Sequence, residues 1–218
     1  MPNWCQNEVT VYFNDNEMAE GKYEEFKQYV SGKEDYHGRC TEKYTYQFNR
    51  EIGKSEMVEK EDVCAYDSPF KDTCDKRRDM FDFQSIYPMP DGLEGTASPS
   101  RVVETEAEVL AWMKENPQHK GMGLGKPITQ VERDALISEH GVDNWYDWCI
   151  ENWGTKWNCH TVEFEEDGNQ LRYEFDTAWS PPEGIYWKLK ELFPTVHISW
   201  FFREEGQEFA GYLDSKFN

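Results

Sequence analysis

The chain has 218 residues, 38% of them hydrophobic and 16% aromatic, with nine Trp, twelve Tyr and thirteen Phe. That is enough length and ring surface to bury a core, which excludes a disordered chain despite a mean hydropathy of −0.91. The net charge of −20 disfavours nucleic-acid binding led by the phosphate backbone, and there is no apolar run of about 18 residues that would span a membrane.

The first element is legible from alternation. In residues 4–14, Cys5, Val9, Val11 and Phe13 share one face, and Glu8, Thr10 and Tyr12 share the other, which predicts a half-buried strand. Asn14, Asp15 and Asn16 offer N-caps for a helix over 17–30, with Tyr23, Phe26 and Val30 on one stripe and Gly32 as its stop. Residues 33–80 mix dense charge with scattered rings and read as a compact insertion rather than a linker. Within them TEKYTYQF (41–48) has weak strand alternation and SEMVEKEDV (55–63) reads as a short helix. Residues 80–87, MFDFQSIY, predict a strand ending at Pro88, followed by turn chemistry at 89–92 and a loop at 95–101.

Helical patterns cover 102–115 and 129–140. Between them, Gly121, Gly123 and Gly125 precede Lys126, but the spacing is not that of a phosphate loop and Pro127 stands where Ser or Thr is needed, so a connection is the expected role. Asp143 is a cap candidate for a short helix, NWYDWCIENW, ending near Gly154. Then come a strand over 156–166, a turn at Asp167-Gly168 and a partner strand over 170–178. Ser180 is the expected cap of a helix that buries Ile185, Leu189 and Leu192 and stops at Pro194. Strands over 195–203 and 207–213, turned at Glu205-Gly206, complete the chain.

This order predicts an α+β fold, a ferredoxin-like sandwich (split βαβ) with one added C-terminal strand and a long mixed insertion after the first helix. Residues 1–32 supply its first strand and helix, 33–142 the insertion, and 143–218 the remainder. Cysteine usage suits a chain with thiols in a reducing compartment: MPNWCQNEV has no secretory pattern, and a cytoplasmic location is expected. The six Cys include no CxxC pair. His37, Cys40, Cys64 and Cys74 are the nearest approach to a metal set; their spacing fits no zinc motif, and buried thiols are the simpler reading. A basic triplet, Lys76-Arg77-Arg78, is the one local exception to the acidic charge.

Five runs are also familiar together: MPNWCQN (1–7), FDFQSIYPMPDGLEG (81–95), NWYDWCIENWGTKWN (144–158), FDTAWSPP (175–182) and EFAGYLD (208–214). Together they resemble the YubB-type ferredoxin-like family of phage and plasmid proteins, which includes Api-like phage proteins. The resemblance implies a ferredoxin-like fold and a mobile-element origin, and it carries over no activity and no catalytic residue. Residues 33–80 fall outside it.

Two regions invite a functional reading. Trp153, Thr155, Lys156 and Trp157 precede one strand of the hairpin, and Asp176, Thr177 and Trp179 end the other, so the hairpin brings them to one end of the sheet. Apolar walls with one cation and hydroxyls suit a small anionic or aromatic ligand; the alternative is that the rings close the core and Lys156 reaches outward. The second region is the sheet face turned from the helices, expected to show Glu163, Arg172, Glu174, Asp176, His197 and Ser199. Acid–base chemistry there is the sharper reading and cross-strand charge pairs the blander one.

The functional expectation is a non-enzymatic accessory protein that binds and modulates a host protein, with a role against host defence as one form of this. A small-ligand or nucleotide binder and a hydrolase using surface carboxylates are the alternatives. Nothing in the residues implies a cofactor, a membrane partner or a preferred oligomeric state.

Overall fold

The computed structural model describes residues 3–31, 81–116, 125–204, 206 and 208–213, together with the backbone of 40–49 and 54–64. Its centre is a five-stranded antiparallel sheet. Strand β1 (Trp4–Tyr12) lies in the middle, paired on one side with β7 (Gln170–Ala178) and on the other with β8 (His197–Glu204). β6 (His160–Asp167) flanks β7, and β9 (Phe209–Tyr212) flanks β8. Apart from β9, this is the split βαβ order expected from the sequence, and the fold is α+β and ferredoxin-like with one added strand.

Three helices cover one face. Helix α1 (Asp15–Ala19) is capped by Asn14, whose side chain accepts from the Asn16 and Glu17 amides while Glu17 accepts from the Asn14 amide. Gly21 then adopts φ +76° and restarts the chain as α2 (Lys22–Val30), so the helix expected over 17–30 is broken in two. Tyr23, Phe26 and Val30 are buried, as their spacing predicts. Helix α7 (Glu183–Leu192) buries Ile185, Tyr186 and Leu189 in the same core, and the Phe193 ring after it meets Phe26 of α2 edge-on. Leu192, expected inside, is exposed. Pro182, not Ser180, is its N-cap; Ser180 Oγ donates instead to the Gly154 carbonyl at 2.6 Å.

The segment 81–86 is not a strand. Asp82 caps a short helix, α3 (Phe83–Ile86), and the ring of Phe81 is wholly buried among Tyr173, Phe175 and Trp200. Asn158 pins this segment to the entry of β6: its Nδ2 donates to Asp82, and its Oδ1 accepts from the Phe83 and Cys159 amides at 3.0 and 2.9 Å. Because Asn158 and Cys159 are so used, β6 begins at His160 rather than at Lys156, with a register shift at Thr161. The loop of the β6–β7 hairpin is Gly168-Asn169 rather than Asp167-Gly168, since Asp167 pairs with Gln170.

The remaining described elements lie outside this sheet. Strands β2 (Cys40–Asn49) and β3 (Lys54–Cys64) form an antiparallel hairpin, so residues 55–63 are a strand and not the expected helix. Short parallel strands β4 (Val102–Val103) and β5 (Ile128–Thr129) precede helices α4 (Glu106–Glu115) and α5 (Gln130–His140). Gly125 sits where a Cβ would lie 2.2 Å from the Thr96 carbonyl oxygen, so this glycine serves close backbone packing beside the Thr96–Lys126 bridge. Helix α6 (Trp145–Asn152) is capped by Asn144 rather than by Asp143. No helix among the described residues is long and apolar enough to cross a membrane.

Candidate functional site

The residues singled out at the end of the β6–β7 hairpin separate into three settings. Trp153, Thr155 and Thr177 are buried. The Trp153 indole donates to the Tyr87 carbonyl at 2.8 Å, and its ring meets Phe83 and Trp148 edge-on. Thr155 Oγ1 donates to the Ala178 carbonyl at 2.9 Å, and Thr177 Oγ1 donates to the Ser180 carbonyl at 2.7 Å. These hydroxyls satisfy backbone carbonyls at and just beyond the end of β7, so the polar groups of Trp153, Thr155 and Thr177 each have a partner.

Asp176 points the other way, onto the open sheet face, where it is in register with Gln6 on β1 and His160 on β6. Partial burial pushes its carboxyl above the usual range.

Lys156, Trp157 and Trp179 do come together. The Lys156 ammonium lies 3.7 Å from the centroid of the Trp157 ring and 3.8 Å from that of Trp179, held between two indole faces. Burial pulls its pKa below the ordinary lysine value, and among the described residues no carboxylate pairs with it. Trp179 takes a left-handed backbone, φ +69°, a conformation costing a bulky side chain about 1–2 kcal/mol. Its amide is fixed by the Asn3 carbonyl at 2.9 Å.

A tight junction sets this arrangement. A Cβ on Gly184 would lie 1.8 Å from the Asn152 carbonyl oxygen, and one on Gly154, at φ +85°, 2.9 Å from the Glu183 amide nitrogen. Only glycines let the turn after α6 lie against the first turn of α7. Ser180 and Thr155 then tie Gly154 and Ala178 together, and Trp157 and Trp179 are carried in from either side.

The open face is built by the outward residues of the same strands. Trp4, Tyr12 and Tyr212 are 40%, 42% and 52% exposed. Trp4 contacts His160, Tyr12 contacts His197 and Phe201 contacts Tyr212, with ring centroids 5.4, 5.6 and 5.2 Å apart. Between these pairs, Arg172 bonds Glu174 at 2.5 Å and lies 3.8 and 3.9 Å from Glu8 and Glu165. Arg203 donates to Gln6 at 2.5 Å. Glu163, opposite Glu174, adds a further exposed acid. The outward polar set expected from alternation is therefore on this face. The aromatic pairs across it were not anticipated, although the same alternation marks Trp4, Tyr12 and Phe201.

A polar groove with a cavity of about 420 Å³ was also missed. It lies between the 98–102 loop, α5 and the start of α6, lined by Ser98, Ser100, Arg133, Asp143 and Tyr146 among others. Asp143 accepts from Ser100 Oγ, from Asn144 and from Arg133 Nε at 2.7 Å. Its described lining has no histidine or cysteine. No local motif marks it, because its residues come from three separate stretches.

Among the described residues no three metal-ligating side chains cluster. Of the suggested metal set, Cys40 and Cys64 occupy opposed positions in the β2–β3 hairpin, while His37 and Cys74 lie outside the described residues, as does the Lys76–Arg78 triplet.

No curated protein matches the chain. A solved structure of the protein api92 from Yersinia pseudotuberculosis is similar over 97% of this chain and 93% of that one, at 15% identity and a TM-score of 0.43. Residues 152–217, which carry β6, β7, α7, β8 and β9, match the family model of the ferredoxin-like domain in Api92-like protein.

Proposed function

We propose that this chain is a non-enzymatic accessory protein of a mobile element, acting in the host cytoplasm, and that it binds and modulates a host protein through the open face of its sheet. The observation that supports this is the face itself: exposed Trp4, Tyr12 and Tyr212 alternate with Glu8, Glu163, Glu165 and Glu174 on a chain of net charge −20. Rings supply contact area at low entropic cost, and the acids steer and select a basic partner. A nucleic acid is disfavoured by the same acids. The occupant is therefore a basic protein surface.

The test is retention of host proteins by the immobilised chain, compared between wild type and the Tyr12→Ala/Glu163→Lys variant. The reading expects a basic protein that wild type retains and the variant loses, with association slowed by added salt. A captured protein held equally by both, at a rate indifferent to salt, would refute it.

A further inference from the structure

We propose that the Trp157–Trp179 pair is a binding slot for an alkylammonium group, with Lys156 as its built-in and displaceable occupant. The slot already holds a cation at 3.7 and 3.8 Å from the two ring centroids, close to the best reach of an ammonium over an indole face. Both rings are more than a third exposed, 37% for Trp157 and 38% for Trp179, so the slot opens to solvent. The backbone that carries the two rings is fixed independently of the lysine, by the Gly154–Gly184 contact and by the bonds from Thr155, Ser180 and the Trp179 amide. The strained backbone of Trp179, φ +69°, is kept where its ring meets the Lys156 ammonium.

The anionic ligand suggested by a lone lysine is disfavoured by this geometry. An anion must approach a chain of net charge −20, and the ring faces that hold Lys156 repel it. A cation is drawn by both, and its one cost is the displacement of Lys156. Lys156 is a strongly hydrated primary ammonium on a flexible four-carbon stem, so it can swing to water. A methylated ammonium sheds water more readily and gains more from the same rings. The plug lowers the apparent affinity by the fraction of molecules whose slot is empty. The proposal does not depend on the sheet face, and the substitutions that test each are different.

The experiment titrates tetramethylammonium chloride, at ionic strength held constant with sodium chloride, against wild type, Lys156→Ala, Lys156→Gln and Lys156→Ala/Trp179→Ala. Tryptophan fluorescence and indole N–H chemical shifts are the readouts. Lys156→Ala and Lys156→Gln are expected to bind at least tenfold tighter than wild type, and the double variant to show no saturable change. Two further arms distinguish the source of the group, a trimethyl-lysine peptide and free choline. Tighter binding of the peptide assigns a partner side chain, and tighter binding of choline a free amine. Absence of saturable binding to both lysine variants would overturn the proposal. So would equal binding of the neutral isostere 3,3-dimethylbutanol, which would make the slot merely apolar.

Discussion

The indole N–H of Trp200 donates to the side-chain oxygen of Asn7 at 3.1 Å, deep in the sheet between β8 and β1. Asn7 in turn donates to the Cys5 carbonyl and to Thr177 Oγ1, both at 2.9 Å. One buried amide thus links three strands, and these connections, with a longer one to the Phe175 carbonyl at 3.4 Å, lie out of reach of water. Asn7→Ala is expected to cost about 3 kcal/mol in urea unfolding, because it orphans the Trp200 N–H. Combined with Trp200→Phe, the two changes should cost about 1 kcal/mol less than their sum. Strict additivity would show that the pair is not coupled.

The Gly154–Gly184 contact predicts a steep contrast between glycines. Gly184→Ala places a methyl on a carbonyl oxygen and is expected to lower stability by more than about 3 kcal/mol. Gly168→Ala meets nothing within 4 Å and suffers only from φ +59°, so about 1–2 kcal/mol is expected. Thermal melts of the two variants give the comparison, and a Gly184→Ala protein as stable as Gly168→Ala would contradict the packing.

Two aspartates should respond to acid in opposite senses. Burial raises the Asp143 carboxyl, but hydrogen bonds from Ser100, Asn144 and Arg133, with the guanidinium charge, outweigh it and leave the value lowered. Its unfolded form therefore binds the proton first; the stability it gives is present above the ordinary value of 3.8 and is lost as pH falls through the lowered one. Asp143→Asn is expected to be less stable than wild type at neutral pH, with the gap closing in acid. Asp176 is the reverse case. Burial raises its pKa, so its charge opposes folding once pH rises past the ordinary value of 3.8. Asp176→Asn is expected to be more stable at neutral pH and equal to wild type at low pH. Denaturation of both variants across about pH 3 to 7 checks the signs.

The Cys5 thiol is fully buried, and burial pushes its pKa up to about 12. At pH 8 the reactive thiolate is then roughly one part in ten thousand. Peptide mapping after a short maleimide pulse should find Cys5 unmodified in the native protein and modified in urea. Native labelling at Cys5 would mean that β1 opens.

The sandwich was legible because its strands alternate cleanly: Val9 and Val11, Leu171, Tyr173 and Phe175, and Ile198 and Trp200 are all buried, and the residues between them face out. The pairing at the sheet end was legible in part: the hairpin pattern brings both stretches to one end, and the Gly154–Gly184 junction with the Thr155 and Ser180 bonds completes it. Where reading failed, a contact distant in sequence decided. FDFQSI alternates like a strand, but Asp82 captures the amide of Gln84 and the side chain of Ser85, and Asn158 holds the Phe83 amide, so a helical turn forms. Ser180 looks like a cap, yet the Gly154 carbonyl claims its hydroxyl. SEMVEKEDV has helix-forming residues, but it lies opposite 40–49 and pairs with it. The groove around Asp143 gave no signal because Ser100, Arg133 and Asp143 share no periodicity.

The place of β1 at the middle of the sheet has a consequence for how the protein is made. Asn7 and Trp200 are 193 residues apart along the chain. At roughly 5–20 residues per second, the ribosome delivers the second about 10–40 s after the first. Until β7 is made both edges of β1 are bare, and only α1 and α2 are at hand to cover its valines. The ladder around β1 therefore closes only near the end of synthesis, after the β6–β7 hairpin has had the chance to form on its own.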